Sequence, residues 1–379
     1  MNFNLNNLMN NNNNNNVGRK SGGLFGGIVI GIILLIAGTI LLWWNEGNNV
    51  KNIQTVKEVS ETAINVNSSL IDSKNEGKLV CTNGNLEIVD EHIYDTLNPM
   101  SGIKTAKYTK VVEMYQWDEE KHENNNRTTY SYEKKWSEKK IDSSKFYQSG
   151  HDNIGTFPST TQSYYADNVK VGEFKLNNEQ IKDLPTNATL ELNSNTPVPE
   201  QGYRVYGNYI TNTENPENPN IGDIRISYKY NDYKEVTVLA IQKGNTFASF
   251  VSSSGKEVNR VEGGILTISQ ITEKMTGENN MLKWGLRLLG AVLIIIGYIA
   301  IFSPISKLAS FVPILENIVG SALSLIATLI GLVHSFLVIA VAWIRYRPVL
   351  GISLIVAAIA LVITIAVLIS KNKKKKQTA

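Results

Sequence analysis

Four histidines, one cysteine and an acidic triplet carry most of the reactive side-chain chemistry in this chain. His92, His122 and His151 stand apart among polar residues. None has the short spacing by which one element holds zinc, so each is read as a solvated or hydrogen-bonded ring. His334 differs, because it lies in the middle of an apolar run. There it is either a neutral group bonding a neighbouring helix or part of a proton path. Asp118-Glu119-Glu120 falls at an expected hairpin end and reads as a solvated loop, with adventitious calcium binding as the alternative. Cys81 sits in the alternating run Leu79–Thr82, which suits a buried strand thiol rather than a reactive one. As the single cysteine it can form no intrachain disulfide. The chain carries no G-x-S-x-G, no Walker loop, no G-x-G-x-x-G, no C-x-x-C and no H-E-x-x-H. No catalytic, cofactor-binding or metal-binding residue is assigned, no cofactor is expected, and the chain is expected not to be an enzyme.

The elements that would position any site are set by four apolar runs, at 24–44, 284–302, 318–343 and 349–369. A lipid core about 30 Å thick is crossed by about 20 apolar residues at about 1.5 Å rise each. All four runs approach or exceed that length. The expected fold class is therefore an α+β membrane protein, with one N-terminal span, three C-terminal spans and a β-rich domain over 45–281 between them. The Asn-rich residues 1–23 are expected to form a disordered cytoplasmic tail, and 370–379 a basic cytoplasmic tail. Arg19 and Lys20 resemble the start of a signal peptide, but the first run is long and ends at Trp43-Trp44-Asn45-Glu46 without a small-residue cleavage site. It is read as an uncleaved span anchored by the indole pair.

Gly23, Gly27 and Gly31 share one face of the first span. Gly320, Ser324, Thr328 and Gly331 do so on the third. Such small-residue faces let helices approach closely, although glycine is also simply frequent in spans. Spans two to four are expected to pack together or against a partner's span. Lys371, Lys373, Lys374, Lys375 and Lys376 in the tail suit a topology anchor, attraction to anionic lipid, or an import or retention signal. The net charge of +3, concentrated there, does not suggest a nucleic-acid partner.

In the middle domain, residues 48–63 suggest a short helix leaving the membrane. Leu79–Thr82 and Leu86–Val89 around Asn83-Gly84-Asn85 read as a hairpin with a tight turn. Lys110–Trp117 with Thr128–Trp136 forms a longer expected hairpin. Gly222–Tyr230 with Tyr233–Gln242 forms another candidate pair, followed by Thr246–Val251. Asn178–Leu184 suits a short helix. Pro197, Pro199, Pro216 and Pro219 mark loops. Leu266–Lys274 looks helical and leads into the second span. Pro304 and Pro313 bracket the connection that follows it, and Arg345-Tyr346-Arg347-Pro348 turns into the fourth span.

Four spans put both termini on one side of the membrane. The tail lysines, Arg19, Lys20 and Lys307 fall on that side; Lys51, Lys274, Lys283, Arg345 and Arg347 fall on the other. The balance favours cytoplasmic termini. The sequons at Asn67, Asn126 and Asn187 all lie in the middle domain, where a lumenal location permits N-glycosylation.

Several blocks resemble the LUMA family (transmembrane protein 43). They are Trp43-Trp44-Asn45-Glu46-Gly47, Glu76-Gly77-Lys78-Leu79-Val80, Val112-Glu113-Met114-Tyr115-Gln116-Trp117, and Tyr130-Ser131-Tyr132 with Trp136. Glu214-Asn215-Pro216, Gly222-Asp223-Ile224-Arg225-Ile226-Ser227, Thr237-Val238, Trp284-Gly285-Leu286-Arg287 and Tyr346-Arg347-Pro348 continue the series in order. The resemblance implies a protein of the endoplasmic reticulum membrane and inner nuclear membrane, with a large lumenal domain. It also implies self-association and a role organising nuclear-envelope complexes with emerin-like proteins and lamins. The Asn-rich start departs from that pattern and makes the emerin partnership less secure than the scaffold role. The expectation is a non-enzymatic scaffold. The alternatives are a membrane-embedded enzyme or lipid-handling protein with its site between domain and bilayer, or a channel or channel accessory subunit.

Overall fold

The computed structural model describes residues 17–89, 98–124, 127–198, 201–309 and 313–349, together with 352, 353 and 356. It divides into two compact units. One is drawn from Met1–Ile53 and Thr276–Ala379, the other is Gln54–Met275.

The first unit is helical. Helix α1 runs without a break from Val17 to Thr62, 46 residues, or about 69 Å at 1.5 Å per residue. The helix expected at 48–63 is present as the continuation of the first span, and residues 17–23, assigned to the tail, are already helical. Helix α3 spans Ile268–Ala309 with Pro304 inside it, and α4 spans Pro313–Tyr346 with a proline at its first residue. Proline suits that position because its missing N–H has no helical partner there. Pro304 therefore lies within a helix instead of bounding the connection. Three described helices are long and apolar enough to cross a membrane. Most of the expected fourth span, the tail at 370–379 and residues 1–16 lie outside the described residues, as do His92 and Asn126.

The second unit holds the β structure, the short helix α2 (Asn178–Asp183), the end of α1 from residue 54 and the start of α3 to residue 275. One seven-stranded sheet has the order β13-β12-β2-β6-β7, with β1 beside β2 and β16 beside β12. Its members are β1 (Ile64–Asn65), β2 (Leu79–Ile88), β6 (Val169–Val171), β7 (Phe174–Lys175), β12 (Glu235–Lys243), β13 (Thr246–Ala248) and β16 (Arg260–Gly263). The other seven-stranded sheet has the order β4-β3-β11-β10-β9, with β5 beside β3 and β8 beside β11. It comprises β3 (Lys107–Asn124), β4 (Arg127–Ser137), β5 (Gln162–Tyr165), β8 (Ala188–Thr189), β9 (Arg204–Tyr206), β10 (Tyr209–Thr211) and β11 (Ile224–Tyr230). Strands β14 (Phe250–Val251) and β15 (Glu257–Val258) form a small ribbon.

Alternation along the strands builds the cores. On β2, Val80 faces a cluster with Val238, Ala240, Phe174 and the α2 residue Ile181. Its neighbours Leu79 and Cys81 face Leu239, Val258, Ile271 and Val59 on the opposite side. In the second sheet, Val112, Met114, Ile224, Ile226 and Ile210 fill one face. The expected helix at Asn178–Leu184 is present. Its capping box has Asn177 Oδ1 accepting from Gln180 N at 2.9 Å and Gln180 Oε1 accepting from Asn177 N at 3.0 Å.

Two hairpin expectations are corrected. Residues 79–88 form one strand, not two around a turn. Gly84 serves close approach instead: a methyl group there would lie 2.6 Å from Ser68 Oγ. Strands β11 and β12, adjacent in sequence, belong to different sheets, β11 pairing with β3 and β12 with β2. The buried linker residue Asn231 diverts the chain. Its N–H donates to Lys107 O, its carbonyl accepts from Thr105 Oγ1 at 2.8 Å, and its Nδ2 donates to Pro185 O at 2.8 Å. The long hairpin is present as β3 and β4, with Tyr115 opposite Trp136 and Trp117 opposite Lys134.

A three-helix polar clasp as the candidate functional site

Glu46 lies just beyond the Trp43-Trp44 pair on α1, and it is 1% exposed. A carboxylate buried without partners would cost several kcal/mol of lost hydration. Here three donors meet it. Arg287 on α3 donates from Nε to Glu46 Oε1 at 2.6 Å and from Nη2 to Oε2 at 2.9 Å. Trp343 on α4 donates from Nε1 to Oε2 at 2.7 Å. The bidentate guanidinium fork gives the pair direction as well as charge. The Arg287 guanidinium also lies 4.7 Å from the Trp284 ring and 5.5 Å from that of Trp343, within cation–π range. One carboxylate thus joins three helices.

Neighbouring residues extend the clasp. Asn45 Nδ2 donates to Lys283 O at 3.0 Å. Gly47 must lack a side chain, because a methyl group there would lie 2.7 Å from the Tyr346 ring. Asn279 donates to Asn49 Oδ1 at 2.9 Å and accepts from Asn52 Nδ2 at 2.7 Å, forming an amide ladder between α1 and α3.

Deeper in the apolar segments, His334 is bonded at both ring nitrogens. Thr39 Oγ1 lies 3.3 Å from Nε2, and the Tyr298 hydroxyl 3.2 Å from Nδ1. The Thr39 hydroxyl proton is spent on Leu35 O at 2.7 Å. Thr39 must then accept from Nε2–H. His334 thus ties α4 to Thr39 on α1 and to Tyr298 on α3 by hydrogen bonds, in line with the helix-bonding reading of this residue.

Backbone contact closes the seam between α1 and α3. A methyl group at Gly31 would lie 2.7 Å from Gly297 O, and one at Gly297 would lie 2.9 Å from Gly31 O. Gly38 and Gly290 oppose each other in the same way, with 2.8 Å from a methyl at Gly38 to Gly290 O. On each helix the two glycines are seven residues apart, 31 to 38 and 290 to 297. That is two turns, so they share a face. Gly331 on α4 meets Ile295 on α3, where a methyl would come within 2.7 Å of the isoleucine side chain. Of the expected packing residues, Gly27 faces Ala300 O, where a methyl would sit 3.6 Å away. Gly23 lies on α1 and Gly320 on α4, and Ser324 is exposed.

The β-rich unit holds a second polar pair on an outer sheet face. Glu113 accepts from Arg225 Nε at 2.6 Å and from Nη2 at 2.9 Å, with Trp136 4.6 Å from the guanidinium. The Asp118-Glu119-Glu120 triplet lies within β3, not at the loop expected for it. Asp118 pairs with Lys135, and Glu119 accepts from Tyr132 Oη and from Tyr147 N. His151 stacks on Tyr132 with ring centroids 3.8 Å apart, and His122 bonds Ser131 Oγ at 2.7 Å. Cys81 is buried, and burial pushes its thiol up to about 11. Among the described residues no cluster of three or more His, Cys, Asp or Glu is placed to hold a metal. Asn67 and Asn187 are both exposed.

Single-residue chemistry did not reveal the clasp. Its members are separated by 241 and 297 positions. Glycines seven apart, 31 with 38 and 290 with 297, mark the α1–α3 seam in the sequence, and of the four-residue series 23, 27 and 31 it is Gly31 that makes the close contact. The resemblance blocks were the better guide: Trp43–Gly47, Trp284–Arg287 and Tyr346–Pro348 converge here.

A buried ion pair, an intramembrane hydrogen-bonded histidine and interlocked glycines across three apolar helices define a multi-pass membrane protein with a β-rich unit. The family profile described as Transmembrane protein 43 matches residues 114–348, more than half of the chain. The chain belongs to the transmembrane protein 43 family. It is 26% identical to Transmembrane protein 43 of Homo sapiens over 342 residues, covering 85% of this chain and 84% of that one. The same figures hold for Transmembrane protein 43 of Pongo abelii. The Transmembrane protein 43 homolog of Drosophila melanogaster is 27% identical over 339 residues, covering 85% and 89%. No solved structure matches the chain.

Proposed function

We propose that the protein is a non-enzymatic scaffold of the endoplasmic reticulum and inner nuclear membrane that organises membrane protein complexes. In this reading the chain crosses the bilayer four times, with 349–369 as the last span, termini in the cytoplasm and the β-rich unit in the lumen. It self-associates and engages nuclear-envelope proteins of the emerin and lamin kind. The observation that supports this is how the inward-facing polar groups are used. Glu46, Arg287, Trp343, His334, Tyr298 and Thr39 bond one another across helices. They are spent on holding helices together, which suits a framework. Crosslinking with mass spectrometry on native membranes tests the role, with nuclear-envelope membrane proteins as the expected partners. Imaging that places the tagged chain only at the plasma membrane refutes the location. Digestion of the β-rich unit by protease added outside intact microsomes refutes the orientation.

A further inference from the structure

We propose that Lys283 and Arg347 form a phosphate-binding site at the membrane–water boundary, one helical turn outside the clasp. Helix register places them together. Arg287 on α3 and Trp343 on α4 meet at Glu46. Lys283 precedes Arg287 by four residues and Arg347 follows Trp343 by four, so each stands one turn away on the same face of its helix. The register holds to the end of α4, because Arg347 N–H donates to Trp343 O at 2.6 Å. Helices α3 and α4 run in opposite directions here, so both steps lead toward water. Lys283 lies within electrostatic reach of both Arg287 and Arg347.

The charges do not cancel. Lys283, Arg287 and Arg347 oppose Glu46 alone in this cluster, which leaves two positive charges. Both Glu46 oxygens are already engaged by Arg287 and Trp343. Lys283 Nζ reaches a neutral acceptor, Asn280 Oδ1, at 2.7 Å. Arg347 is a half-buried residue, and its side chain has no hydrogen-bond or ion-pair partner among the described residues. Partly desolvated like charges side by side are costly, and an anion between them removes the cost. The depth identifies the anion. Trp284 is 62% exposed and Trp44 is 54% exposed. Exposed indoles beside apolar helices mark the headgroup level, where the abundant anion is phosphate. A guanidinium fork beside an ammonium suits its oxygens.

The test uses the full chain in nanodiscs of neutral phosphatidylcholine, with and without added phosphatidylserine, and native mass spectrometry to count retained lipid. Wild type should retain phosphatidylserine. Lys283→Gln with Arg347→Gln should weaken retention about thirtyfold, from about fivefold per cation near an anionic headgroup. Lys283→Arg with Arg347→Lys should keep it, and so should replacement of the five tail lysines by glutamine. Added inorganic phosphate separates two sources of the same chemistry. If it displaces the lipid, free phosphate is also a ligand; if it does not, the headgroup is required. Should the double variant misfold, each single variant is read for its fivefold effect. Equal retention by wild type and the glutamine variants, or loss only on removal of the tail lysines, overturns the site.

Discussion

Replacing Glu46 by glutamine is the sharpest test of the clasp. The wild-type carboxylate receives three hydrogen bonds, two from Arg287 and one from Trp343. A glutamine of the same shape keeps one acceptor oxygen and turns an NH2 donor toward donors. Arg287, whose side chain is 12% exposed, is left charged and poorly paired. Breaking one side of a buried pair costs about 3–5 kcal/mol, because the remaining charge stays buried. Glu46→Gln should therefore destabilise the helical unit by about that amount. Arg287→Leu should cost at least as much, since it strands the carboxylate. Replacing both by leucine removes the stranded charge and should cost far less than the sum of the single effects. The assay is reversible unfolding of the full chain in mixed micelles of rising sodium dodecyl sulfate content. Tryptophan fluorescence reports the clasp once Trp117 and Trp136 of the β-rich unit are replaced by phenylalanine, leaving Trp43, Trp44, Trp284 and Trp343. The single-variant effects should persist at high salt, because a buried pair is screened little. Single effects below about 1 kcal/mol that simply add would refute the idea that these two residues hold the helices together.

Other outcomes follow from the same geometry. Gly31→Leu should destabilise the unit by about 1–3 kcal/mol through overpacking against Gly297, while Gly26→Leu, with nothing within 4 Å, should be near neutral in the same assay. His334→Phe should cost about 1 kcal/mol by stranding the Tyr298 hydroxyl, and adding Tyr298→Phe should recover most of that; strictly additive losses refute the coupling of these two residues. Cys81 should resist alkylation in the folded chain at pH 8 and react on unfolding. Its raised folded value, about 11 against 9.0, means that stability from this thiol is full below pH 9 and falls as pH rises toward 11. Fast labelling of the native protein would contradict that burial. Under the proposed lumenal placement, Asn67 is favoured over Asn187 as a glycan acceptor: its Oδ1 accepts from Ser69 N at 2.9 Å in a turn, whereas Asn187 leads into β8 and accepts from Asp232 N at 2.8 Å. In an Asn126→Gln background, the endoglycosidase-sensitive mass shift should vanish in Asn67→Gln and survive in Asn187→Gln, and the reverse pattern refutes the assignment.

What could be read from the residues alone follows how local each physical cause is. Lipid acts on every residue of a span at once, so hydropathy locates the apolar segments of α1, α3 and α4. The capping box at Asn177 and Gln180 is equally local, and α2 forms where its residues say it should. Errors arise where a distant partner decides. Asn83-Gly84 carries a turn signal, but pairing of β2 with β12 through 79–85 and with β6 through 86–88 keeps the strand straight. Glycine is needed there for Ser68, which no window around residue 84 contains. Polar residues 45–62 gave no reason to extend the first span, yet Asn49 and Asn52 gain their helical partners from Asn279 on another helix. The clasp is the extreme case. Glu46 and Arg287, taken singly, read only as charges near span ends. Only their meeting, with a tryptophan from a third helix, makes burial of both affordable. Charges near span ends are therefore weak topology markers in this chain. Arg287, for one, is bound to a carboxylate.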